Sequence, residues 1–131
     1  MDFVLHPEDK YRLGDFLRSN LANEQWKQFR AAVAFVKYSG VKHIEKELKQ
    51  FSARGEIEIT AGIDSGGTSL EGLRALMNAL GGNDRLAVFH NANSSTFHPK
   101  VFLFRNAEAA ELRISAHRGR HFRLIVDAIS A

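Results

Sequence analysis

Thr96-Phe97-His98-Pro99-Lys100-Val101-Phe102-Leu103-Phe104 is an apolar run broken by one histidine and one lysine, two positions apart. Val101 to Phe104 reads as a strand buried on both faces. Side chains at i and i+2 of a strand share a face. His98 and Lys100 are therefore expected side by side at the strand's beginning. Pro99 between them cannot donate to a ladder, which suits a strand start or an edge. An ammonium can balance phosphate charge. A neighbouring imidazole can attack phosphorus or move a proton.

Upstream, strand-like and helix-like patterns alternate. Asp9 to Asn23 carries Leu13, Phe16, Leu17 and Leu21 near helical spacing. Phe29 to Val36 reads as a buried strand, with Ser39-Gly40 as a turn after it. Val41 to Ala53 reads as an amphipathic helix with Val41, Ile44, Leu48 and Phe51 inward and His43 on its exposed flank. Gly55 is expected to stop that helix. Glu56 to Ile63 forms a second strand, Leu70 to Leu80 a helix, and Arg85 to Phe89 a third strand. Thr68-Ser69-Leu70-Glu71 has capping-box spacing. Asn106 to Ala110 reads as a turn and Glu111 to Ser115 as a last strand. Alternating strands and helices predict parallel pairing with right-handed crossovers, and the late, closely linked strands predict antiparallel pairing. The expected fold is α/β, a mixed β-sheet covered by helices, with residues 1–131 as a single domain.

Composition narrows the function classes. The chain has 131 residues, 44% of them hydrophobic, and no cysteine. That excludes disulfides, cysteine ligands and a thiol nucleophile. No segment approaches membrane-spanning length and no leader pattern opens the chain, so a cytoplasmic location with no membrane partner is expected. The net charge is +3, yet residues 1–111 carry 14 basic and 14 acidic side chains. The excess sits in Arg113, Arg118, Arg120 and Arg123 against Asp127, so residues 113–131 form an atypical basic tail.

Two further segments can serve a site. Asp64-Ser65-Gly66-Gly67-Thr68-Ser69 lies between a strand and a helix start, where backbone amides can hold an anion. It is neither a Walker loop nor a dinucleotide fingerprint, and a tight turn with a good cap is the other reading. Asp64, Gly66, Gly67 and Thr68 are candidate substrate-binding residues, joined by His90 and Asn91 after the third strand. Lys37 and Tyr38 can line the same rim or simply face solvent. Asp64, His90 and His98 match no metal-ligand spacing, so neither a metal nor another cofactor is expected.

Taken with Ala32 to Gly40, Gly62 to Ser69 and Phe89-His90, the segment Phe97 to Phe104 resembles the phospholipase D superfamily, in its restriction-endonuclease-like nuclease branch. The likeness spans about residues 30 to 115. It implies a phospholipase D-like sandwich and a metal-independent phosphodiesterase acting on DNA. His98 would form a phosphohistidine and Lys100 would stabilise the phosphoryl oxygens. A second histidine would come from a second copy of the motif, which in so short a chain implies a homodimer joining two His98–Lys100 pairs. The chain departs from the family pattern at two points. Arg105 stands where an aspartate is usual, and no Gly-Ser-x-Asn follows, so Ser115 is the nearest equivalent of that catalytic serine. The tail is readable as a frame-shifted truncation of a longer nuclease or as a basic arm for phosphates. A catalytically incomplete module that binds nucleic acid or dimerises is the alternative function, and a lipid phosphodiesterase the third.

Overall fold

The computed structural model describes residues 2–6, 12–64, 66–82, 85–90 and 99–115; for 2–6 and Ser115 the description is of the backbone. Ten elements follow one another: β1 (Asp2–His6), α1 (Leu13–Ala22), β2 (Gln28–Val33), α2 (Tyr38–Val41), α3 (Glu45–Ser52), β3 (Glu56–Gly62), α4 (Leu70–Leu80), β4 (Leu86–Phe89), β5 (Lys100–Arg105) and β6 (Ala110–Ser115). The strands make one mixed sheet in the order β1-β6-β5-β2-β3-β4. Five strands run the same way, and β5 alone runs against them, antiparallel to both β2 and β6.

Alternation explains which face of the sheet is covered. In β3, Ile57 and Ile59 are buried while Glu56 and Glu58 are exposed. Register places Ile57 beside Phe29 and Phe29 beside Phe104, so these side chains share a face. That face packs against Phe16, Leu17 and Leu21 of α1, Leu48 and Phe51 of α3, and Leu76 and Leu80 of α4. Phe104 is its centre. Its ring stacks on Phe29 at 4.6 Å and meets Phe16, Phe51 and Trp26 at 5.8, 6.4 and 6.5 Å. Aromatic pairs at such separations add to simple area burial.

The described helices all lie on that one side, and this corrects the reading of β5 as buried on both faces. Phe102 and Phe104 are buried, whereas Val101 and Leu103 are half-buried on the other side. The outer face is polar over β2 and β3. Gln28 donates to Glu56 at 2.8 Å, Arg105 donates to Gln28 at 2.7 Å, and Arg30 lies 3.5 Å from Glu58. The Arg30–Glu58 ion pair is exposed and adds little stability. Towards β6 the same face turns apolar, with Leu103 beside Leu112 and Val101 beside Ile114.

Several boundaries differ from expectation for physical reasons. Asp2–His6 is a strand, paired in parallel with Glu111–Ser115. The helix expected from Asp9 begins at Leu13 among the described residues. The helix expected over 41–53 is two helices, α2 and α3, separated at Lys42 to Ile44; Ser39 and Gly40 lie within α2. Gly55 does not end α3 by a left-handed turn. It is glycine because a Cβ there would lie 2.8 Å from the Lys27 carbonyl and from the Phe51 ring. Gly81 does take the left-handed conformation, φ 74°, and its N–H caps Met77 at 3.1 Å. The α4 cap is Ser69, whose hydroxyl accepts from the Gly72 N–H at 3.0 Å, rather than Thr68. Arg113, counted with the atypical basic tail over residues 113–131, lies in β6, within the strand expected over Glu111 to Ser115. It is fully buried, its guanidinium 5.3 Å from the Phe16 ring.

The long loops are fastened by side chains. Arg54 donates to the carbonyls of Leu21, Trp26 and Asn23 at 2.7, 2.8 and 3.2 Å and lies over Phe51 at 4.5 Å. It thereby satisfies the carbonyl end of α1 from the far end of α3. Asn106 closes the β5–β6 hairpin, accepting from the amides of Glu108 and Ala109 at 2.8 Å each.

Candidate functional site

The reversed direction of β5 decides what meets at one edge of the sheet. β2, β3 and β4 deliver their carboxyl ends there, and β5 delivers its beginning. Lys100 pairs with Val33, Val33 with Ala61, and Ala61 with Val88. Carboxyl edges of parallel strands are where α/β proteins usually hold ligands. Lys100 thus stands on this edge, on the helix-covered face.

Past Val33 the chain continues to Phe35 and Lys37, and hydrogen bonds lock this segment to the loop after β3. The Val36 amide donates to the Thr68 hydroxyl at 3.0 Å, and that hydroxyl donates to the Gly62 carbonyl at 2.6 Å. The Ser69 amide donates to the Val36 carbonyl at 3.0 Å. Thr68 is therefore engaged within the scaffold by both its proton and an oxygen lone pair. Gly66 has φ 74°, the conformation that favours glycine. Gly67 is small for a different reason. A Cβ there would meet the Phe35 ring at 2.8 Å, so Phe35 lies flat against the loop.

Phe35 is 40% exposed, and two ammonium groups flank its ring. Lys37 Nζ is 5.8 Å from the ring centre and Lys100 Nζ is 5.9 Å from it. Distances of this order suit cation–π attraction, which restrains both lysines without neutralising them. Two cations thus converge beside the glycine loop. Sequence reasoning left Lys37 between the rim and solvent and overlooked Phe35; the signal available was a Phe-x-Lys spacing leaving a strand end.

The second half of the edge is a carboxylate–imidazole couple. The Ile63 amide donates to the Phe89 carbonyl at 3.2 Å, extending the β3–β4 pairing by one step. The next residue on each chain is Asp64 and His90. Their side chains meet, His90 Nδ1 lying 2.5 Å from Asp64 Oδ1. His90 is the more exposed of the two, 64% against 28% for the side chains. Among the described residues no group of three or more histidine, cysteine or acidic side chains stands together in a metal-holding arrangement.

A cleft of about 550 Å³ lies over the helix-covered face of the sheet beside α1 and α2, floored by Phe29, Ala31, Val33, Ile59 and Phe102, with Phe35 and Lys37 in its wall; Lys100, Asp64 and His90 do not line it. Of the sequence-derived candidates, Lys100, Asp64, Gly66, Gly67, Thr68 and His90 come together on the carboxyl edge. The Ser115 backbone ends β6 at the same edge, β6 lying next to β5 with Ile114 opposite Val101. His98, Asn91 and the tail beyond Ser115 lie outside the described residues. Among the described residues no helix is long and apolar enough to cross a membrane. Comparison with family models, curated protein sequences and solved structures returned no match.

Proposed function

We propose that this protein is a metal-independent phosphodiesterase acting on DNA. The observation that supports this most directly is the pair of ammonium groups, Lys100 and Lys37, held about one ring's reach from Phe35 on the carboxyl edge. Two fixed cations beside a glycine loop suit the non-bridging oxygens of a phosphodiester, whose charge grows during displacement. His98, two residues before Lys100, is the nucleophile in this reading. Its imidazole attacks phosphorus to give a phosphohistidine, and water then hydrolyses that bond. Neither step calls for a metal.

A homodimer belongs to the same proposal. Among the described residues β4 is an edge strand, and its Val88 and Phe89 are 48% and 39% exposed. An exposed apolar edge favours pairing with another copy. Sedimentation of the wild type and of Val88→Lys tests this, with a monomer for both counting against it.

The catalytic proposal is tested by incubating the full chain with labelled oligonucleotides in excess chelator. Cleavage is expected, with loss in His98→Ala and Lys100→Ala and an acid-labile phosphoryl adduct on His98. Cleavage that disappears on chelation points to a metal nuclease instead. Salt-sensitive DNA binding without turnover supports the alternative, a catalytically incomplete module.

A further inference from the structure

Phe35 is the point where the cleft and the carboxyl edge meet. With Lys37 it forms part of the cleft wall, and its ring also holds the Lys100 ammonium of β5 nearby. We propose that the cleft receives one unpaired base of a single DNA strand, stacked on Phe35, while Lys37 and Lys100 take the phosphates on either side of that base. This rests on the phosphodiesterase reading above and deepens it by naming the form of the substrate, a single strand and not a duplex.

Three observations carry the assignment. The first is the ring. Phe29, Phe51 and Phe104 are sealed in the core, whereas Phe35 is 40% exposed. An aromatic ring left in water beside a concave surface can gain what the core rings already have, a flat apolar neighbour. Phe35 is also held still. A Cβ on Gly67 would fall 2.8 Å from the ring, so the glycine backbone braces it from the loop side. The Val36 amide, one residue on, is tied to the Thr68 hydroxyl at 3.0 Å. A braced ring loses little freedom when a base stacks on it.

The second is the space. The cleft, about 550 Å³, lies within the ~300–1,000 Å³ range of small-ligand sites. Its floor includes Ala31 and Val33, which stay half-buried although β2 is an interior strand of the sheet. A nucleobase is a flat ring with apolar faces, and such a floor suits it.

The third is charge. Among the described residues the cleft is lined by Arg12, Arg18, Lys37 and His43 against one acidic side chain, Asp15, which lies 2.6 Å from Arg18. Arg12, Lys37 and His43 are exposed. The positive excess complements a phosphate backbone. Lys37 and Lys100 already stand at 5.8 and 5.9 Å from the ring centre. Their flexible stems let each ammonium move from the ring to an adjoining phosphate when a base arrives. In a duplex the base faces are taken up by stacking and only the edges are open in the grooves. A paired base would first have to be pulled from the helix, at a cost in unstacking. A single strand presents its base faces without that cost.

The test measures fluorescence anisotropy of the full chain with a labelled oligothymidylate, with its duplex, and with an abasic strand carrying the same phosphates. The single strand is expected to bind at least about 10-fold more tightly than the duplex. Removing the bases should cost roughly 5- to 150-fold, the worth of one stacked base. Phe35→Leu should lose a similar factor on the intact strand and nothing further on the abasic one, and Phe35→Trp should retain binding. The abasic comparison uses the wild type, so it decides the matter even where a Phe35 variant folds poorly. Methyl NMR signals of Val33 and Ile44, in the cleft lining, should shift when the strand is added. Equal wild-type affinity for the intact and abasic strands overturns the proposal, as does equal affinity for strand and duplex. Cleft methyl signals that shift with decanoate but not with the strand assign the cleft to an amphiphile and overturn it as well. Wild-type protein that neither binds nor cleaves any of these DNAs defeats the phosphodiesterase reading itself, a different outcome.

Discussion

Thr68→Val removes one hydroxyl and keeps the shape of the side chain. Its effect follows from two hydrogen bonds, the Val36 amide to Thr68 at 3.0 Å and Thr68 to the Gly62 carbonyl at 2.6 Å. Both are part-buried and join segments 32 and 6 residues away in sequence. The variant orphans one donor and one acceptor, each worth about 1–3 kcal/mol when left unsatisfied. Partial access to water favours the lower half, so the expected loss is about 2–4 kcal/mol, a large part of the ~5–15 kcal/mol that holds a domain folded. With a urea m-value of about 1–3 kcal/mol/M, the midpoint should fall by about 1–4 M. Thr68→Ser keeps the hydroxyl and should stay within about 1 kcal/mol of the wild type. Hydrogen exchange adds a local readout, because the Val36 amide should lose protection first. The reasoning is refuted if Thr68→Val unfolds within about 0.5 kcal/mol of the wild type, or if Thr68→Ser is equally damaging.

Phe104→Ala empties the centre of five packed aromatic rings and should destabilise by about 3–5 kcal/mol in chemical denaturation, enough to unfold a marginal domain. Arg54→Ala frees the carbonyls of Leu21, Asn23 and Trp26, at the end of α1 and in the link to β2, and should lower stability by about 2–3 kcal/mol. Arg54→Lys should recover less than half of that loss, since an ammonium lacks the planar fork. Lys37→Ala should weaken oligonucleotide binding and reduce the slope of log K against log salt by about 1, measured by fluorescence anisotropy, with the fold intact because the side chain is exposed.

How far the sequence revealed this molecule depended on whether the determining contact was local. The bounds of α4 could be read to the residue, Leu70 to Leu80, although its cap is Ser69 and not Thr68. β3 was equally plain, its Glu-Ile-Glu-Ile alternation stating which face is wet. β1 was not visible, because five residues become a strand only through Glu111–Ser115, at the far end of the chain. Arg113 was counted with the basic excess of the tail, yet it lies in the core against Phe16. At the candidate site, Lys100 was legible from its place at a strand start. The Asp64–His90 couple spans 26 positions and exists only because β3 and β4 are neighbours. Phe35 was overlooked because its role comes from Gly67, a residue that contributes by having no side chain.

The pairing of β1 with β6 also orders events at the ribosome. Asp2 is synthesised more than a hundred residues before its register partner Glu111. β2 likewise waits for β5. A nascent chain synthesised as far as residue 90 can assemble β2, β3 and α4 but holds β1 without its described neighbour, and loop closure on that scale slows folding. The β5–β6 hairpin therefore closes the described sheet, and the Lys100 edge takes shape only in that closing step.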